Sequence, residues 1–222
     1  MFGGKNIQKR YGAHEVLRDV TFAIETNKIV GVFGLNGAGK TTLLRILAGL
    51  TDYTGEIENL PKKVGYVFQE PRLLPHLTVE QNLLYVGGRY ALIEELLQKT
   101  EMTSHKDKYP KQLSGGEKQR VAFARAFVCE PDLLLMDEPF SSLDTALKIR
   151  QMQAFARLWE EKKPTTVFVT HDIEEAWALG HRIMILKDGK VILDISPKRT
   201  AFPSPYGENS EEKNMLLAAL TQ

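Results

Sequence analysis

Apolar and polar positions along the chain fall into two rhythms, and the places where one gives way to the other mark its elements. Val20-Thr21-Phe22-Ala23-Ile24 alternates with period two, as a half-buried strand does, whereas Ile29-Val30-Gly31-Val32-Phe33 is a continuous apolar run of the kind buried on both faces of a parallel sheet. Leu43, Leu44, Ile46 and Leu47 then recur at helical spacing, and Gly49 sits where that helix stops. Val64-Gly65-Tyr66-Val67-Phe68 predicts a further strand. From about residue 78 to 128 the pattern is helical, through Glu80 to Leu84 and Leu92 to Leu97. Strands return at Leu133–Met136, Thr166–Val169 and Ile183–Leu186, with helix between the first two, which predicts a parallel α/β sheet. Lys187-Asp188-Gly189-Lys190 before Val191-Ile192-Leu193 is a hairpin signal. Residues 196 to 209 contain three prolines and two serines and predict a surface linker, and Ser210-Glu211-Glu212 starts a last helix.

With 222 residues there is room for one α/β domain with a small appended subdomain. The net charge is +1, with Lys and Arg dispersed, which argues against DNA or RNA as a partner. Cys129 is the single cysteine, so neither an internal disulfide nor a cysteine–zinc framework is expected, and a reduced, cytoplasmic setting fits. No apolar run approaches the roughly 20 residues of a membrane span, so membrane association is expected through a protein partner.

Chemistry enters at Gly34-Leu35-Asn36-Gly37-Ala38-Gly39-Lys40-Thr41, directly after a strand and directly before a helix. Glycines there let backbone N–H groups and the helix N-terminus close on an anion; Lys40 reaches the β- and γ-phosphates of a nucleoside triphosphate, and the Thr41 hydroxyl faces magnesium. Asp137 ends a strand of four apolar residues, which delivers a carboxylate to the sheet edge where α/β proteins bind ligands, suited to magnesium. Glu138 follows as candidate general base. His171 succeeds the strand ending at Thr170, where a side chain reaches the γ-phosphate, and Gln69 ends the Val64–Phe68 strand with an amide that ligates magnesium or orients water. Tyr11 is an aromatic that either stacks on adenine or packs as an ordinary half-buried ring. His14, His76, His105 and His181 have no comparable context.

Together with Leu113-Ser114-Gly115-Gly116-Glu117, these motifs, in this order, resemble the ATPase subunits of ABC (ATP-binding cassette) proteins over residues 5 to 195. The resemblance implies an α/β, P-loop NTPase core with an N-terminal antiparallel β part and an inserted α-helical subdomain. Across a single domain of 1–222, the core takes 1–69 and 129–195, the helical subdomain about 70–128, and the linker and C-terminal helix 196–222. It implies ATP and magnesium as cofactors: Tyr11 stacks on adenine, Gly34 to Thr42 cradle the phosphates with Thr42 beside Thr41, and Thr41, Gln69 and Asp137 serve the metal. Glu138, His171 and Gln69 are the catalytic set. Ser141-Ser142-Leu143-Asp144 resembles the segment linking the two active sites of a dimer.

In the family, Ser114, Gly115 and Gly116 bind the γ-phosphate held by the opposite subunit, so two ATP molecules are buried in a head-to-tail homodimer. That is an anion site cut in half, which lets ATP act as an interfacial ligand that hydrolysis removes. The forms around Gln69 and Asp137 are closest in style to importers of the nitrate/sulfonate/taurine and thiamine-precursor/molybdate group. The resemblance thus implies a peripheral subunit on the cytoplasmic face of the membrane, driving a separate permease with an extracytoplasmic solute-binding protein. The alternative is a non-transport ABC ATPase acting on soluble partners, such as those of iron–sulfur assembly.

Overall fold

Strand β3 (Ile29–Phe33) is buried along its whole length, and the sheet is built outward from it. The computed structural model describes residues 1–141, 143–198 and 201–221; Ser142 of the dimer-linking segment, Arg199 and Thr200 of the expected linker, and the terminal Gln222 lie outside them. Six strands run in the order β5-β6-β7-β3-β8-β9. Of these, β5 (Val64–Val67), β6 (Leu133–Asp137), β7 (Thr165–Thr170), β3 and β8 (Arg182–Lys187) are parallel, and β9 (Lys190–Ile195) returns antiparallel. The hairpin between β8 and β9 turns through Asp188 and Gly189, both at positive φ (48° and 75°), which is the backbone a tight two-residue turn requires.

Period-two alternation sorts the central strands between two cores. Val30, Val32, Leu133, Leu135, Val167 and Val169 face one side, where they meet Leu43, Leu44, Ile46 and Leu47 of α1 (Lys40–Leu47). Leu134, Met136 and Phe168 face the other, against Phe123 and Phe127 of α4 (Gly115–Val128) and Phe155 and Trp159 of α5 (Thr145–Lys162). Each such side chain contributes about 1.5–3 kcal/mol by leaving water, and so the two layers of helix clamp the sheet that carries the site.

A second sheet, ordered β2-β1-β4, is antiparallel and consists of β1 (Phe2–Tyr11), β2 (His14–Ile24) and β4 (Thr54–Glu58). The β1–β2 turn at Gly12-Ala13 sets Tyr11 opposite His14. The continuous helical pattern of 78–128 resolves into α2 (Val79–Tyr85), α3 (Tyr90–Lys99) and α4, with 3-10 turns at Thr103–His105 and Pro110–Gln112. Gly87, at φ 90°, breaks the first junction. Thr78 caps α2 with a reciprocal bond from Gln81, which fixes where that helix starts.

The segment after β9 differs from the expected surface linker. Phe202 packs its ring against both Trp159 and His181, at centroid distances of 5.4 and 5.0 Å. Tyr206 donates to Asp172 at 3.1 Å, at the head of α6 (Ile173–Leu179), and Trp177 donates to Glu208 at 3.3 Å. The prolines mark irregular backbone, as expected, but the aromatics among them make it a packed strap. The last helix, α7 (Glu211–Thr221), begins just after Ser210 as the sequence predicts and buries Leu216 in a core with Trp177 and Phe33.

Candidate functional site

Parallel register brings the motifs together. Asp137 lies opposite Val169, and Phe33 opposite Thr170, so the ends of β6, β3 and β7 are level, and the residue following each emerges at one sheet edge. Two backbone bonds weld these exits: Gly34 N–H donates to Thr170 O at 3.3 Å and Glu138 N–H to Val169 O at 3.0 Å. Residues 34, 138 and 171 are far apart in the chain and adjacent in space for this reason.

The phosphate loop then turns into α1 through Gly39, whose φ of 101° only glycine adopts without strain. Gly34 is fixed by proximity instead, since a Cβ there would lie 2.2 Å from the Leu186 carbonyl oxygen of β8. The loop borders a cavity of about 540 Å³ lined by Asn36, Gly37, Gly39, Lys40, Thr41 and Thr42, with Gln69 and Glu138 facing them. Leu35 is exposed and Ala38 buried, and neither lines the cavity, although Leu35 O accepts the Ala38 N–H that shapes the turn.

Lys40 is the buried cation of the site, 4 % exposed, and its Nζ donates to Gly34 O at 2.9 Å and Leu35 O at 3.0 Å. It also lies 3.7 Å from Glu138 Oε1. Burial lowers its pKa, and the carboxylates of Glu138 and Asp137 work against that shift. Desolvation pushes the Asp137 carboxyl upward, opposed by the hydroxyl of Thr41, which donates to Oδ1 at 2.9 Å. Tyr66 reaches Oδ2 at 3.5 Å. Thr41 and Asp137 therefore present adjacent hard oxygens beside the loop, the donor chemistry that magnesium selects.

Glu138 holds the left-handed backbone, φ 43°, which costs a non-glycine residue about 1 kcal/mol. Its own N–H and C=O are both engaged, the carbonyl accepting from Ser141 N–H at 3.2 Å and Ser141 Oγ at 3.1 Å, so the strained geometry is held from both sides. The carboxylate accepts from His171 Nδ1 at 2.9 Å. Gln69 donates weakly to Ser141 Oγ at 3.4 Å.

Tyr11 is not among the residues lining the cavity; its ring is 45 % exposed, with the Lys9 ammonium 4.8 Å from its centroid. His14 and Val16 of β2 line the cavity instead. The residues around His14 carry no motif; its position at the start of the strand paired with the one ending in Tyr11 is the only sequence signal for its place here. Ser114 caps α4, accepting from Glu117 N–H at 3.3 Å while Glu117 takes the Ser114 N–H at 2.7 Å. Gly116 lies against Leu147, and its carbonyl accepts from Gln151 at 3.2 Å. Within this one chain, Ser114, Gly115 and Gly116 do not line the phosphate-loop cavity.

Comparison with known proteins gives these geometries a context. A family profile described as "ABC transporter" matches residues 17–141. The chain is 41 % identical to an aliphatic sulfonates import ATP-binding protein of Bacillus cereus, over 93 % of this chain and 87 % of that protein. It is 40 % identical to a probable sulfate/thiosulfate import ATP-binding protein of Chlorella vulgaris, over 85 % of this chain and 88 % of that one. Among solved structures it resembles a bacterial ABC transporter cassette determined as a dimer, with TM-score 0.78 at 33 % identity over 90 % of this chain and 100 % of that chain. The same cassette, in a post-hydrolysis state bound to ADP and Pi, gives TM-score 0.76 at 33 % identity over the same shares.

Proposed function

The chain belongs to the ABC transporter family and is an ATP-binding ATPase subunit; from that premise we propose that two copies hydrolyse ATP head to tail on the cytoplasmic face of a membrane and drive a permease that imports a sulfonate or related oxyanion. The observation that carries this reading is Glu138, flanked by Lys40 at 3.7 Å and His171 at 2.9 Å on the wall of the phosphate-loop cavity. Among the described residues no helix is long and apolar enough to cross a membrane, and in this reading the permease provides the translocation path.

ATP binds with its phosphates on the loop amides and the N-terminus of α1. Lys40 exchanges the carbonyls of Gly34 and Leu35 for phosphate oxygens, which offsets the cost of burying its charge. Glu138 takes a proton from water as the water oxygen bonds to the γ-phosphorus and the bond to the β–γ bridging oxygen breaks, releasing ADP and phosphate. His171 holds the Glu138 carboxylate and contacts the γ-phosphate. Thr41, Asp137 and Gln69 would hold magnesium, which when bound neutralises charge on the transferring phosphoryl group. Ser114, Gly115 and Gly116 complete the site of the second copy. A solute-binding protein outside the membrane delivers the oxyanion.

The test is to purify this chain with whatever accompanies it from solubilised membranes of its host and to assay ATP hydrolysis with candidate solutes and their binding protein. A polytopic membrane partner, with hydrolysis stimulated by a sulfonate-loaded binding protein, is the expected result. A reproducible soluble partner without a membrane protein would overturn the transport assignment.

A further inference from the structure

His105 belongs to no motif and does not line the phosphate-loop cavity, yet it touches the turn that begins α4. Its Nε2 lies 3.0 Å from Glu117 Oε1, and the other oxygen of that carboxylate accepts the Ser114 N–H at 2.7 Å. A carboxylate only accepts, so Nε2 carries the hydrogen. Nδ1 lies 3.0 Å from Ser104 Oγ, and since a hydroxyl both donates and accepts, the ring keeps both contacts whether neutral or protonated. The backbone that carries the ring is tied at both ends. Met102 is fully buried and its N–H donates to Leu97 O of α3 at 2.7 Å, while the His105 N–H donates to Met102 O at 2.9 Å. Beyond His105, the N–H groups of Val79 and Glu80 at the start of α2 donate to Lys108 O and Lys106 O at 2.9 and 3.0 Å. The imidazole is therefore presented to α4 from a fixed frame.

Ser114 and Gly115 are exposed, and Ser114 Oγ accepts from the Glu117 N–H at 3.3 Å, which leaves the hydroxyl hydrogen available to an incoming phosphate oxygen. Glu117 is itself an anion one turn away from that hydrogen. Bonds from Ser114 hold its carboxyl below the usual carboxylate range, with the charges of His105 and Lys108 acting the same way against burial. Released from its contacts, such a carboxylate repels a phosphate and competes with it for the serine hydrogen. A helix cap needs only Ser114 and Glu117. His105 takes the second carboxylate oxygen, so both oxygens are occupied and the anion is pinned to its own chain.

We propose that His105 is a positioning residue for the Ser114–Gly116 turn: by holding Glu117 in place it keeps the Ser114 hydroxyl free for the nucleotide of the second copy. The inference rests on the reading above, in which this turn acts across the dimer interface.

The experiment uses mixed dimers of the full chain, isolated through two affinity tags, in which one subunit carries Lys40→Ala so that a single phosphate loop works. When H105L is placed on the Lys40→Ala subunit, the altered turn completes the working site, and kcat/KM for ATP is expected to fall at least about threefold. That is less than the roughly tenfold of a whole charge-assisted bond, because the pair is partly open to water. When H105L is placed on the other subunit, the unaltered turn completes the working site, and the rate is expected to match that of the mixed dimer without H105L. H105Q keeps an N–H donor of similar reach and is expected to restore the rate on the Lys40→Ala subunit, which a role in packing alone would not predict. H105L acting equally from either subunit or from neither, or H105Q as damaging as H105L, overturns the proposal. Ser114→Arg in the same two placements tests the underlying reading. A preference for one subunit there but not with H105L overturns His105 alone, whereas no preference in either overturns action across the interface and the proposal with it.

Discussion

His171 Nδ1 lies 2.9 Å from Glu138 Oε2, joining the end of β7 to the end of β6 by a single side-chain bond. A carboxylate only accepts, so the Nδ1 carries the hydrogen and the ring is held in one tautomer. The same carboxylate lies 3.7 Å from Lys40 through its other oxygen. One group thereby reports to both the phosphate loop and the strand beside it, and a change in the loop's occupancy is felt directly by the proposed base.

Lys40 sits on two backbone carbonyls at the floor of the cavity, ready to move onto phosphate. In Lys40→Ala the nucleotide loses a charge-assisted contact in a partly desolvated site, and ATP affinity is expected to fall by at least about tenfold. Fluorescent-nucleotide titration measures this. Affinity equal to that of the unaltered chain contradicts the placement of Lys40 on phosphate.

Ser114, Gly115 and Gly116 do not line the cavity of their own chain, which makes their action on a partner's nucleotide testable by mixing. Ser114→Arg and Lys40→Ala subunits are each expected to be inactive, while a mixed dimer carries one intact site and recovers ATP hydrolysis. Failure to recover in a preparation shown to contain the mixed dimer counts against action across the interface.

Lys148 bridges Asp172 at 2.6 Å and the buried Glu175 at 2.9 Å. Burial raises the Glu175 carboxyl, with the bonds from Lys148 and Thr170 opposing; for Asp172 burial is also the largest influence and pushes upward, but the bond and charge of Lys148 together with the bonds from the Glu174 N–H and Tyr206 outweigh it and the pKa is lowered. Lys148→Met removes the cation from both. A raised folded pKa costs stability as pH climbs above the unfolded value of about 4.3, and the gain from the lowered Asp172, present above about 3.9, is lost with its partner. Both changes have the same sign. The Asp172 part of the deficit is already present near pH 4, and the Glu175 part adds to it as pH rises, to a total of about 3 kcal/mol by pH 7.5; urea unfolding at pH 4 and at pH 7.5 reads it, and a deficit that does not grow between them contradicts the assignment.

How much of this was legible in the sequence depends on how local each feature is. The strand, loop and helix from Ile29 to Leu47 were legible because apolar runs and glycines act within a few residues, and the Asp188-Gly189 turn for the same reason. That β3 lies between β7 and β8 was not, since strand order is set by packing across the whole sheet. That Asp137, Glu138 and His171 lie together was readable only from the motif set as a whole, because it takes the level ends of β6, β3 and β7 to make them neighbours. Lys148 gave no signal: a lysine on a helix is ordinarily solvated, and its two acid partners come from the α6 N-terminus. Nor did Phe202, whose burial depends on Trp159 and His181 being brought to the same place.

The most direct test of the account is Glu138→Gln, which keeps the shape of the side chain and removes its capacity to take a proton. ATP hydrolysis at steady state should fall by at least about a hundredfold, the usual contribution of a positioned general base, while ATP binding persists and the nucleotide is retained in a stable dimer seen by size-exclusion chromatography. Near-normal hydrolysis in this variant contradicts Glu138 as the base and with it the mechanism built on its contacts to Lys40 and His171.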